Sequence, residues 1–337
     1  MFKILLSFAA SLIIGLSPVQ AQSIYSASET GRQIPRMPYV EYETLDRFDR
    51  LIRFYLSETL SEESELPLVV YVQGSSTGSQ FLLRNERMSG NNGHLSVSDV
   101  VRGRARLLIV EKPGVEYLDN PPGGSAAQAS SSFRQEHTLD RWTEAVVAAI
   151  KASLRLPDIQ PERVLVAGHS EGGIVAANVA RNLESVSHIA LLAGGGPTQL
   201  FSIIELARQG QFFGHISEDP DERVDYVLDS WQRISDSPYE ADSIFFGHSF
   251  KRWHSFLSSS PIELLSSSED RIFVAQGTAD VAVPVSSFDM LCAQLISQGL
   301  APECLRMDGA DHSFRDVNTS EDRWTEVWSV IVDWFLE

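Results

Sequence analysis

Basic residues, cysteine and long apolar runs are all scarce in this chain, and each scarcity excludes something. Lys and Arg number 27 against 45 Asp and Glu, a formal net charge of −18. Nucleic-acid affinity rests on cations that meet phosphates, so a nucleic-acid partner is excluded, and an anionic membrane surface is disfavoured. The two cysteines, Cys292 and Cys304, form no Cys/His ligand cluster. There is no H-E-x-x-H run and no phosphate-cradling glycine loop, so neither metal nor cofactor is expected. No repeat of fixed period and no heptad run occurs. The longest apolar stretch, Ile4 to Leu16, falls short of the roughly 20 residues that span a bilayer.

What is present is a globular composition. Hydrophobic residues make up 43% and charged residues 21% of 337 positions, enough for one large core or for a core with an insertion. The start is a targeting segment: Met1-Phe2-Lys3 is short and basic, the apolar stretch follows, and Ser17-Pro18-Val19-Gln20-Ala21 ends in a small-residue cleavage pattern. Residues 1–21 read as a secretory signal peptide cut after Ala21, the alternative being an N-terminal anchor. No Cys follows the cut, so a lipid anchor is not expected. The mature protein is then periplasmic or secreted, without a stable membrane anchor. In an exported chain Cys292 and Cys304 are expected to pair as a disulfide, the alternative being two buried thiols. The bridge would close a short loop just ahead of His312, worth about 3 kcal/mol in the chain-entropy picture.

Apolar runs place the elements. Leu66–Val72 is continuous and ends at Gln73-Gly74, as a strand buried on both faces does. Further strands are read at Arg50–Ser57, Leu107–Val110, Val164–Ala167, His188–Leu192, Arg271–Ala275 and Cys304–Met307. Helical spacing covers 139–154, 285–297 and 324–335, and another helix is read from Ile174. Strands alternating with helices predict an α/β protein, a mostly parallel sheet with helices on both faces and its site at the C-terminal strand ends. Residues 197–268 break this rhythm with helical patterns rich in Phe and Trp. They are read as a helical cap inserted into a core formed by 22–196 and 269–337. Ser125 to Ser132 is small and polar and reads as a flexible loop.

The chemistry centres on Gly168-His169-Ser170-Glu171-Gly172-Gly173, which follows a strand and precedes a helix. A sharp turn there would push the Ser170 hydroxyl out at the sheet top, with Gly168 and Gly172 where a side chain would collide. A serine nucleophile needs a base, and the base needs an orienting acid. Of the eight histidines, His312 lies between the last strand and the last helix. Asp280 follows the Phe273 strand in Gly277-Thr278-Ala279-Asp280 and can face the His312 loop; Asp308 is a weaker alternative, and Asp311 adjoins His312 too closely. His169 is expected to point away from the nucleophile.

The order Ser170, Asp280, His312, with a long gap before the acid, resembles the α/β-hydrolase superfamily over nearly all of the mature chain. The Gly-His-Ser-Glu-Gly-Gly form is also similar to the prolyl-oligopeptidase and serine-aminopeptidase branch, although the region ahead of the core is expected to be too short for a propeller domain. The resemblance implies an α/β-hydrolase fold and an oxyanion hole built from the N–H groups of Glu171 and Ser75. In place of the frequent His-Gly-x, the Ser75 loop here reads Gln73-Gly74-Ser75. The implied activity is an exported serine hydrolase that cleaves a carboxylic ester through an acyl-enzyme, acting on a small-molecule ester or short peptide. The alternatives are a peptidase or aminoacyl amidase, and a non-catalytic binding protein on the same scaffold. Glu171 could attract a substrate ammonium or simply favour a helix start.

Overall fold

The structure is a computed structural model, and it describes residues 24–59, 65–124 and 126–337. The expected signal peptide, 1–21, lies outside the described residues. The chain enters through three antiparallel strands, β1 (Ser28–Gln33), β2 (Tyr39–Leu45) and β3 (Leu51–Ser57), and then crosses to β4 (Leu66–Val72). A hairpin, β5 (Phe81–Arg84) and β6 (Arg87–Gly90), leads into α1 (His94–Val101) and β7 (Arg106–Val110). Next come α2 (Ser131–Glu136), α3 (Leu139–Ser153), β8 (Ile159–His169), α4 (Glu171–Asn182) and β9 (His188–Leu192).

The segment read as an insertion holds α5 (Gln199–Arg208), α6 (Pro220–Asp236), the two-residue strands β10 (Ile244–Phe245) and β11 (His248–Ser249), α7 (Phe250–Leu257) and α8 (Pro261–Leu265). The chain closes with β12 (Arg271–Gly277), α9 (Val285–Ser297), β13 (Glu303–Met307) and α10 (Trp324–Leu336).

Nine strands form one sheet in the order β1-β2-β3-β7-β4-β8-β9-β12-β13. From β7 onward neighbouring strands run parallel, and the first three are antiparallel. All seven residues of β4 are buried, which explains its unbroken apolar run. Side-chain alternation sends Leu68, Val70 and Val72 into the layer of α3, α4 and α9, and Val69 and Tyr71 into the layer of α1 and α10. Helix α10 buries Trp324, Val327, Trp328, Ile331 and Val332 at the three-and-four spacing of an apolar stripe. Local chemistry starts several of the other helices: Thr138 and Ser249 accept from the third backbone N–H of α3 and α7, and Asp219 caps α6 with Pro220 in its first turn.

Two readings change. Of the expected flexible loop at 125–132, Ser125 lies outside the described residues and the rest is packed instead: Ala126 and Ala129 are buried, Ala126 N–H donates to the Gly247 carbonyl, and Ser130 caps α2. Helix α4 begins at Glu171 rather than Ile174. Gly172 and Gly173 looked like turn residues but lie in its first turn, where a Cβ on Gly172 would stand 2.2 Å from the Val72 carbonyl oxygen.

Candidate active site

Ser170 sits between β8 and α4 with φ 57° and ψ −126°. Such a backbone costs a non-glycine residue about 1–3 kcal/mol, so the surroundings must hold it. They do: Ser170 N–H donates to the Leu192 carbonyl at 2.8 Å, and Gly173 N–H donates to the Ser170 carbonyl at 2.9 Å. The flanking glycines serve close approach. A Cβ on Gly168 would stand 2.0 Å from the Gly172 carbonyl oxygen. The strained angles fall on the serine itself.

Three expected residues meet at the C-terminal ends of the parallel strands. His312 Nε2 lies 3.0 Å from Ser170 Oγ, and His312 Nδ1 lies 2.8 Å from Asp280 Oδ2. An ionised carboxylate only accepts, so Nδ1 carries the proton and the Nε2 lone pair faces the serine hydroxyl. Asp280 is buried and fully engaged. Its Oδ1 accepts from Ala282 and Val283 N–H at 2.7 and 2.9 Å, and its Oδ2 also accepts from Gln276 Nε2 at 2.7 Å. The other acids have local duties. Asp308 accepts from Thr278 Oγ1, and Asp311 accepts the N–H groups of Ser313 and Arg315 in its own turn.

His169 does not point away. Side-chain alternation along β8 puts it on the face of Leu165 and Ala167, the α10 side, where the His312 loop returns. There its Nε2 donates to the His312 carbonyl at 2.8 Å, and the two rings stand 4.9 Å apart. Burial first, then the neighbouring His312, lowers the His169 pKa to about 4, so it is neutral at ordinary pH.

The loop after β4 lies directly against the serine. A Cβ on Gly74 would stand 3.1 Å from Ser170 Cβ and 3.5 Å from Oγ. The Ser75 N–H has no acceptor among the described residues, and the Glu171 N–H opens α4, where a helix leaves its donors unpaired. The Glu171 carboxylate turns inward rather than toward a substrate. It accepts from His137 Nε2 at 3.0 Å and forms an ion pair with Arg252 of α7. Burial, then Lys112 and Arg252, hold His137 well below its usual pKa, so it donates as a neutral ring. Lys112, 1% exposed, donates to the carbonyls of Gly74 and Ser76 at 2.6 Å each and lies 4.3 Å over the Trp142 ring.

Sequence reasoning missed Lys112, His137, Arg252 and Gln276. Only Gln276 left a signal, its place in the strand-end turn that carries Asp280.

Two cavities open on Ser170. One, of about 360 Å³, is walled by Ile174, Ile203, Phe212, Phe246, Trp253 and Val283. The other, of about 440 Å³, is more polar, with Asn92, Ser96, Ser313, Arg315 and Asp322 on its walls. Both are bordered by His312 and Ser75. Cys292 of α9 and Cys304 of β13 form a disulfide with 6.5 Å between their Cα atoms. Among the described residues no group of His, Cys, Asp and Glu could hold a metal ion, and no helix is long and apolar enough to cross a membrane.

No family model matches the sequence, and no curated protein matches it. Solved structures do match. The α/β hydrolase GrgF from Penicillium sp. sh18 is 12% identical with a TM-score of 0.57, over 89% of this chain and 98% of that one. Est1E from Butyrivibrio proteoclasticus, solved with ferulic acid, is 17% identical with a TM-score of 0.56, over 85% and 94%. A puromycin-hydrolyzing peptidase from Mycobacterium tuberculosis is 17% identical with a TM-score of 0.57; the match covers 89% of this chain and only 39% of that one.

Proposed function

On the α/β-hydrolase fold that this chain shares with those structures, we propose an exported serine hydrolase that cleaves a carboxylic ester. The reading is carried by one observation, the unbroken series of contacts from Asp280 through His312 to Ser170. Ser170 Oγ attacks the ester carbonyl carbon as His312 Nε2 takes its proton. The N–H groups of Ser75 and Glu171 receive the oxyanion, and one such donor is worth about 3–4 kcal/mol of barrier. The imidazolium, steadied by Asp280, returns its proton to the leaving alkoxide. Water, activated by the same imidazole, then cleaves the acyl-enzyme. Helices α5 to α8 form a cap over the site, with Phe212, Phe246 and Trp253 lining the apolar chamber.

The ester is favoured over an aminoacyl amide by the charge of that chamber. Its one acid among the described residues, Glu171, is already engaged by His137 and Arg252, and Asp322 on the wall of the other cavity faces Arg315. The bridge between Cys292 and Cys304 fits an oxidising compartment and so supports export.

A fluorophosphonate probe should label the native protein and not Ser170→Ala, whose turnover should fall about 10⁵–10⁶-fold with the fold intact. p-Nitrophenyl acyl esters should be cleaved faster than aminoacyl p-nitroanilides. Absent labelling sinks the reading, and a preference for the anilides replaces the esterase with a peptidase.

A further inference from the structure

Lys112 is a buried lysine whose role none of the steps above requires. It lies two residues past the end of β7, just before Pro113-Gly114, and is 1% exposed. Among the described residues no carboxylate lies within ion-pairing distance of it. Burial first, and then repulsion from Arg252, hold its pKa well below the usual lysine value. An uncompensated buried ammonium is costly, so its hydrogen bonds must hold it. They go to the carbonyl oxygens of Gly74 and Ser76, both at 2.6 Å, while the ring of Trp142 covers the ammonium at 4.3 Å.

Those two carbonyls bracket Ser75. The Gly74 carbonyl and the Ser75 N–H belong to one trans peptide group. A cation on the oxygen of a peptide draws electron density from its nitrogen and makes the opposite N–H a stronger donor. The bond to Ser76 fixes the next peptide but one, so the loop cannot swing that N–H away. Gly74 meanwhile packs on Ser170.

We infer that Lys112 is the positioning residue of the oxyanion hole, holding the Gly74–Ser75 peptide against Ser170 and polarising its N–H toward the developing oxyanion. The inference rests on the serine-hydrolase reading. It gives the buried cation a task that would be exerted mainly in the transition state, because the ground-state carbonyl asks little of that donor.

The test compares Lys112→Met, which keeps the apolar stem over Trp142, with Lys112→Gln, which keeps an uncharged donor. Rates are taken per active site titrated with fluorophosphonate, so loss of folded protein does not count. For Lys112→Met, kcat should fall about 30–100-fold with KM within threefold. The inhibition constant of a trifluoromethyl ketone, which forms a tetrahedral oxyanion on the serine, should rise by the same factor as kcat/KM falls. Lys112→Gln should lie between Met and Lys on both scales. Retention of kcat within threefold, or loss of kcat with unchanged ketone affinity, overturns the inference.

Should neither variant fold, wild-type protein with ¹⁵N-labelled lysine decides. The Lys112 ammonium signal should shift when the ketone adduct forms, and an unmoved signal overturns the inference. A wild type that neither reacts with fluorophosphonate nor binds the ketone fails the hydrolase reading instead.

Discussion

The carbonyl of His312 accepts a hydrogen bond from His169 Nε2 at 2.8 Å, so the side chain beside the proposed nucleophile holds the backbone of the proposed base. The imidazole of His312 therefore has two anchors, Asp280 on its Nδ1 and His169 on its own peptide. One hydrogen bond of this kind contributes about 1 kcal/mol to placement. In His169→Phe the aromatic contact persists and the donor is lost. Turnover of a p-nitrophenyl ester should fall about three- to tenfold with KM little changed. An unchanged kcat would show that the ring acts by packing alone.

Asp280→Asn should cost far more. The carboxylate accepts the His312 Nδ1 proton and so leaves Nε2 free as a base. An amide can instead present its N–H₂ to Nδ1, which moves the ring proton to Nε2 and removes the base. A loss of about 10⁴-fold in kcat is expected, as for the same exchange in serine proteases. Stopped-flow ester hydrolysis with circular dichroism as the fold control measures it; a loss below tenfold would move the acid's role to another residue.

The proposed triad was legible because each member stands beside a strand end that the hydrophobic pattern marks, and β4 was legible because burial on both faces leaves no polar residue in it. β2 was not. It buries Glu41 and Thr44 among its apolar residues, and Glu41 is tolerated only because Thr30, Arg32 and Arg53 reach it from neighbouring strands. Lys112, His137 and Arg252 were illegible for a related reason. A cation's burial is decided by which loops converge on it, and carbonyls at 74 and 76 meeting a side chain at 112 leave no periodic trace. His169 was misread because strand parity was not carried through to the last residue of β8.

The bridge between Cys292 and Cys304 ties α9 to β13 across a separation of 12 residues. Removing it frees the unfolded chain by about 3 kcal/mol in the loop-entropy model. The paired replacement Cys292→Ser, Cys304→Ser should lower the unfolding free energy by about that amount in urea titration. Activity at 25 °C should stay within twofold, because neither cysteine lines the cavities that open on Ser170. A large activity loss in fully folded protein would instead tie the bridge to the placement of His312.

Acid should unfold the protein early. Burial lowers His94 and His169 to about 4 and His248 to about 3, and holds His137 well below its usual value. A depressed folded pKa stabilises above the unfolded value of about 6.5, and that stability is lost as pH falls from there toward the folded value. His94 and His169 each contribute at most about 3 kcal/mol, and His248 at most about 5 kcal/mol. Glu111 works the other way. Burial raises its carboxyl to about 7 against the donors Ser79, Gln80 and Tyr55, so its stabilising effect is present below about 4.5 and is lost as pH rises through 7. Five imidazoles, with His188 also lowered to about 4, oppose the raised carboxyls of Glu111 and Asp270 between pH 6.5 and 4.5, and the imidazoles win. Unfolding free energy from urea titration should drop steadily from pH 7 to pH 5. Glu111→Gln, which stays neutral, should make that drop steeper and should gain on the wild type at pH 8. Stability that holds or rises on acidification would mean that these rings are already protonated in the fold.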